Sequence, residues 1–338
     1  MPAVRRASYL TACLALSSVA CGTKLARSPE HLHGVGDESV ICRAATNRFV
    51  GLPGLEDDSQ TAPESARHGS WWIRGCSAER VANGLRLRFE GPGWYFVDRR
   101  DRDFALRQQV PFTLGVELEG APALTVDKGV ATLRFEPKTA PQVEVRIARE
   151  LRLQPTSAWG SLVSWMPGVP VRGRAAERLS ALAVSALSSK LREGATATYE
   201  LTSGQQDLSL GQLAAGQTPR NAFSDGIRWS VNERVFLPPN ATQVVGPIEP
   251  GLARLDARIE QGSGLVYRTV CQRDMPAQYD TIASGHLDRL PPLASAAQGT
   301  VRGTGEQSTI LRVNGCKFFL ALASLGNSTT IAALRVRE

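Results

Sequence analysis

The sequence predicts a mainly β protein of the α+β class: an antiparallel sheet domain with one long helix, followed by a C-terminal β-sandwich. Three observations predict it. Between Trp71 and Pro155, apolar and polar residues alternate in short runs divided by Gly, Pro or Asp. Arg174–Glu193 contains no Gly or Pro and carries an apolar stripe at helical spacing. After Phe223, about eight further strand-like runs follow one another with turn signals between them.

The chain opens MPAVRRASYLTACLALSSVACG. Arg5 and Arg6 form a short positive region, and Tyr9–Ala20 carries no charge. The apolar stretch has the length of a signal-peptide core and is too short to span a bilayer. Ser18-Val19-Ala20-Cys21-Gly22 places small residues before a cysteine at its end. This arrangement resembles the lipobox of bacterial lipoproteins, with Ser18 where the commonest lipoboxes have Leu. The resemblance implies a signal peptide over 1–20, a diacylglycerol on the Cys21 thiol and acylation of the new amine, palmitate being a usual chain. Several acyl chains on one residue supply stable attachment to a membrane. Gly22 stands where an Asp favours inner-membrane retention in the family, which implies the outer membrane rather than the inner. The alternative is a plain signal peptide cut after Ala20.

Residues 21–70 predict a lipid-anchored tether. They hold Gly34, Gly36, Gly51, Gly54, Pro29, Pro53 and Pro63, an acidic tract at Glu56-Asp57-Asp58, and no sustained period. Cys42 implies that part of this stretch is tied down. An α+β domain is expected over 71–222. Gly84–Gly91 puts Leu85, Leu87 and Phe89 on one face and Arg86, Arg88 and Glu90 on the other. Phe112–Gly120 alternates in the same way, and Asp127-Lys128-Gly129 divides two further strands as a turn. Gln142–Leu153 alternates again. Thr156–Met166 predicts a short helix with Trp159, Trp165 and Met166. The long helix follows, with Leu179, Leu182, Ala183, Ala186, Leu187 and Leu191 on one stripe and Gly194 as its stop. Strands are expected at Ala195–Thr202 and Asp207–Leu213, a linker at Gly216–Asn221, and the β-sandwich over 223–338.

The 338 residues carry a net charge of +7, which falls to +5 once residues 1–20 are removed. The basic residues interleave with acids, as in Asp98-Arg99-Arg100-Asp101-Arg102-Asp103, so the charge predicts no nucleic-acid partner. Four cysteines remain besides those of the first 21 residues: Cys42, Cys76, Cys271 and Cys316. An even number in an exported chain reads as disulfides. Four cysteines allow three pairings; the local one, Cys42–Cys76 and Cys271–Cys316, keeps each bond within one half of the chain. No Cys-x-x-Cys or His spacing suits a metal, and none is expected. No cofactor motif is present.

Catalytic motifs are scarce. There are four histidines, at 31, 33, 68 and 286, and the nucleophile-elbow pattern Gly-x-Ser-x-Gly is absent. Two aromatic clusters stand out. Trp71-Trp72 with Trp94-Tyr95-Phe96 suits a β core, or a sugar-binding surface if exposed. Trp159, Trp165 and Met166 beside the helical stripe could line a greasy groove between helix and sheet, an outline similar to tubular lipid-binding domains. The functional expectation is a non-enzymatic, membrane-anchored envelope lipoprotein that binds or scaffolds a protein partner, a glycan or a lipid. The alternatives are a carrier of a hydrophobic ligand using Trp159, Trp165 and Met166, and an envelope-polymer hydrolase using His286 and Asp288.

Overall fold

A computed structural model of the chain describes residues 41–42, 45–53, 67–82, 84–100, 102–127, 130–147, 151–152, 154–158, 161, 171–200, 206–210, 230–290 and 297–338. The signal peptide over 1–20, Cys21, and the proposed groove residues Trp159, Trp165 and Met166 lie outside the described residues.

The first half contributes β1 (Arg48–Pro53), β2 (Arg67–Ile73), β3 (Gly75–Val81), β4 (Gly84–Arg100), β5 (Phe104–Asp127), β6 (Val130–Pro137), β7 (Gln142–Ile147), β8 (Gln154–Pro155), the 22-residue helix α1 (Val171–Arg192), β9 (Ala195–Glu200) and β10 (Gln206–Leu210). The hairpin of β4 and β5 is its frame, antiparallel from Leu85 opposite Gly120 to Arg100 opposite Ala105. These strands are longer than the alternation suggests. Gly91-Pro92-Gly93 has the composition of a turn, yet β4 runs through it. The reason is a close crossing: a Cβ on Gly91 would lie 1.8 Å from the Trp72 carbonyl oxygen, so only glycine lets β2 pass there. Helix α1 packs against β7 and β6. Leu179, Leu187 and Leu191 join Phe135, Ala195 and Leu133 in one core, and the Ser180 hydroxyl donates to the Val145 carbonyl at 2.8 Å.

The second half contributes β11 (Val231–Leu237), β12 (Thr242–Ile248), β13 (Gly251–Gln261), β14 (Gly264–Cys271), α2 (Met275–Ala283), β15 (Gln298–Arg302), β16 (Gly305–Val313), β17 (Phe318–Ser324) and β18 (Thr330–Arg337). One sheet has the order β12-β17-β14-β15 and faces the run β11-β18-β13-β16. Val235, Leu255, Leu320, Leu322, Leu334 and Val336 fill the space between them. The structure is therefore mainly β, with antiparallel sheets and a C-terminal sandwich. β17 buries both faces: Phe318, Leu320 and Leu322 point into the sandwich, and Phe319 and Ala321 point out of it toward the first half.

The tether boundaries differ from the expectation. β1 and the start of β2 fall within 21–70, and β1 pairs with β2 from Arg48 opposite Ile73 onward. Short apolar runs such as Arg48–Pro53 show too few alternations to register as strands by period alone. The two disulfides have the expected partners, Cys42–Cys76 across 34 residues and Cys271–Cys316 across 45. The pairing predicted on locality is the one observed.

The halves are joined along a seam. β2 meets β11 in a parallel contact, Arg67 opposite Val235, so the sheet of the first half continues into the sandwich. Behind it Phe49, Trp72, Trp94, Phe319, Met275 and Ile282 pack as one cluster. His68, at the end of the stretch expected as tether, lies in β2. It stacks on Phe236 with ring centroids 4.4 Å apart and is 8% exposed. Burial lowers its pKa from 6.5 to about 4. The ring is thus neutral in the folded protein, whereas the unfolded chain takes up a proton below pH 6.5. Stability present above pH 6.5 is lost as the pH falls toward 4, by up to about 3 kcal/mol. Urea unfolding at pH 7.5 and pH 4.5 should show this loss in the parent and a much smaller one in His68→Phe. Equal losses in both would place the acid sensitivity elsewhere.

Candidate functional site: a basic cleft at the seam

Where β1 and β2 meet the disulfide end of the sandwich, the surface sinks into a cleft of about 410 Å³. Asn47, Trp72 and Arg74 come from the first half, and Gln272, Arg273, Pro276, Cys316 and Lys317 from the second. Its position follows from local chemistry. The Cys271–Cys316 bond ties the end of β14 to the turn before β17, and the Gln272 amide donates to the Lys317 carbonyl at 2.8 Å. Arg273 and Lys317 are thereby brought to one rim. Across from them, Arg74 follows β2; its amide donates to the Glu90 carbonyl at 2.9 Å, which fixes the base of its side chain.

Trp72 forms the apolar wall. It is buried, stacks on Phe49 at 5.6 Å and on Tyr279 at 5.8 Å, and the Arg74 guanidinium lies 5.0 Å from its ring centroid. The Trp72 indole N–H is buried and has no acceptor. Such a donor ordinarily finds one. Arg273 approaches Asp274 at 3.8 Å, and Lys317 approaches Glu249 at 2.5 Å. Both pairs are substantially exposed, so solvent screens them. Among the described residues Arg74 pairs with no carboxylate. The walls hold three cations, two amides and no acid. The chemistry open to this arrangement is recognition of an anion.

A second hollow, of about 580 Å³, lies across β3, β4, β5 and β7. Of its charges, Arg88 donates to Glu117 at 2.7 Å, and Glu144 pairs with Arg146 at 2.5 Å. That ladder is an ordinary solvated sheet face.

The aromatic cluster Trp71-Trp72 with Trp94-Tyr95-Phe96 is core. All five are buried, and they divide between opposite faces: Trp71 and Tyr95 face the first-half core, Trp72 and Trp94 the seam. They offer no exposed platform for a sugar ring. His286 Nδ1 and Asp288 Oδ1 are 4.0 Å apart, and among the described residues no serine bonds to that histidine. No group of three or more metal-ligating side chains occurs among the described residues. Nor is any helix among them long and apolar enough to cross a membrane.

The cleft is not legible in the sequence. Its residues are spread from 47 to 317 and belong to no motif. One signal is available: Arg74, Arg273 and Lys317 each stand within two residues of a disulfide cysteine.

Fold and site together define a class: a disulfide-bonded, mainly β chain with a basic cleft between its halves. No protein-family model matches the chain, and no curated protein matches it. Among solved structures it has a likeness to Extended-Synaptotagmin 2, in a chain that joins its SMP domain to two C2 domains, at 9% identity and a TM-score of 0.15, covering 92% of this chain and 63% of that one. At that score the likeness carries no argument.

Proposed function

We propose that this chain is an exported lipoprotein of the bacterial cell envelope, held on a membrane by lipid on Cys21, with a binding or scaffolding role toward a protein, glycan or lipid partner. The seam cleft is its binding surface. The observation that carries the binding role is that cleft, walled by cations from both halves. The residues from Arg5 to Gly22 support export and anchoring, and two disulfides suit the oxidising compartment such a chain would enter. The outer membrane is the favoured location.

Labelled palmitate tests the anchor. The parent should take up label and sediment with membranes, and Cys21→Ala should do neither. Equal labelling of the two would sink the assignment. A labelled parent should then band with outer-membrane markers on a density gradient.

A further inference from the structure

The walls of the cleft also specify the chemistry of its ligand; this inference rests on reading the cleft as the binding surface. Three cations from three separate chain segments converge on it: Arg74 after β2, Arg273 before α2, and Lys317 before β17. A planar carboxylate offers two acceptor oxygens and suits a single bidentate arginine. Donors arriving from three directions suit an anion with three or more oxygens distributed around a centre. The Arg74 guanidinium lies 5.0 Å from the Trp72 ring centroid, a cation–π contact that holds it at the cleft for such an oxygen. Asn47 and Gln272 add neutral amides.

Two carboxylates stand at the rim. Glu249 holds Lys317, and Asp274 lies beside Arg273. Both ion pairs are exposed and weak, so a multiply charged anion displaces them. Glu249 in particular acts as a competitor for Lys317.

We propose that the seam cleft binds a phosphate-bearing ligand, with Arg74, Arg273 and Lys317 as its cationic contacts and Asn47 and Gln272 as neutral donors beside them. The phosphate belongs either to a lipid headgroup or to a soluble phosphorylated molecule.

The test uses the full chain carrying Cys21→Ala, so that no acyl anchor contributes. Inorganic phosphate is titrated by calorimetry. Co-sedimentation is measured with phosphatidylcholine vesicles, with and without phosphatidic acid. The expected result is saturable one-site binding to at least one phosphate probe. Arg74→Ala and Lys317→Ala should each weaken it roughly tenfold. Glu249→Gln should tighten it, which keeps the test informative should Arg74→Ala disturb the Trp72 stack. Arg258→Ala, at an exposed cation on β13 outside the cleft, should leave it unchanged. Binding to phosphatidic acid vesicles that phosphate displaces would identify a headgroup. Binding to phosphate without vesicles would identify a soluble ligand. No saturable binding to either probe, or binding indifferent to Arg74, Lys317 and Glu249, overturns the proposal. The lipoprotein reading is decided separately by the palmitate label, so either can fail alone.

Discussion

Replacing Gln109 with Leu should destabilise the protein by about 3–5 kcal/mol and uncouple its two halves. Gln109 lies on β5 opposite Phe96 and is buried at the seam. Its Nε2 donates to the Ala283 carbonyl at 2.9 Å and to the Thr242 hydroxyl at 3.1 Å, and its Oε1 accepts the Thr242 amide at 2.7 Å. A side chain of the first half thus caps the C-terminal end of α2 and holds the start of β12. Leucine has nearly the same volume but neither pole. It would leave a buried N–H and a buried carbonyl without partners, each costing about 1–3 kcal/mol. Apolar surface at the seam would remain, so collapse of the fold is not the expected outcome. Urea unfolding followed by tryptophan fluorescence and by far-UV circular dichroism should coincide in the parent and separate in the variant. A loss under about 1 kcal/mol with coincident curves would mean that the bond set contributes little, because water replaces it.

The same seam explains what can be read from the sequence and what cannot. Gly84–Gly91 is readable because Leu85, Leu87 and Phe89 meet a core while Arg86, Arg88 and Glu90 meet water. Beyond Gly93 the period fades, since Trp94 and Phe96 are buried as fully as Tyr95 and Val97. Period-2 alternation reports a strand with one wet face, and it disappears where a second half covers the other face. The uninterrupted run Phe318–Ala321 has the same cause. The disulfide pairing is readable from locality, and the long helix from its stripe, with the observed helix beginning at Val171 rather than Arg174. Helix α2 escapes notice because Met275–Ala283 is short, contains Pro276 and has a weak apolar stripe. The cleft escapes for a different reason. Asn47, Arg74, Arg273 and Lys317 are surface polar residues of common types, and only the seam brings them together. Apart from the disulfide cysteine within two residues of each cation, nothing in their local sequence distinguishes them from the chain's other cations.

Trp94 provides the sharpest probe of how the seam is held. Its indole is fully buried among Phe49 at 5.7 Å and Tyr279 at 5.4 Å, and its Nε1 donates to the Thr242 carbonyl at 2.8 Å. Trp94→Ala should cost about 3–5 kcal/mol, the usual range for deleting a buried aromatic ring and leaving a partly unfilled cavity. Trp94→Phe keeps most of the ring and loses the donor, so it should cost about 1–2 kcal/mol. Both Trp94 and Gln109 act on Thr242, one on its carbonyl and the other on its amide and hydroxyl. Residues sharing one partner do not add. Once Gln109→Leu has loosened β12, the Trp94 bond is already weakened, and the double variant should lose about 1–2 kcal/mol less than the two single losses combined. Full additivity within about 0.5 kcal/mol would show two independent contacts in place of one latch. A latch has a consequence for the cleft, because Trp72 belongs to the same cluster as Trp94. Loosening the latch moves the apolar wall relative to Arg273 and Lys317. Trp94→Phe should therefore weaken phosphate binding while leaving every cleft residue unsubstituted.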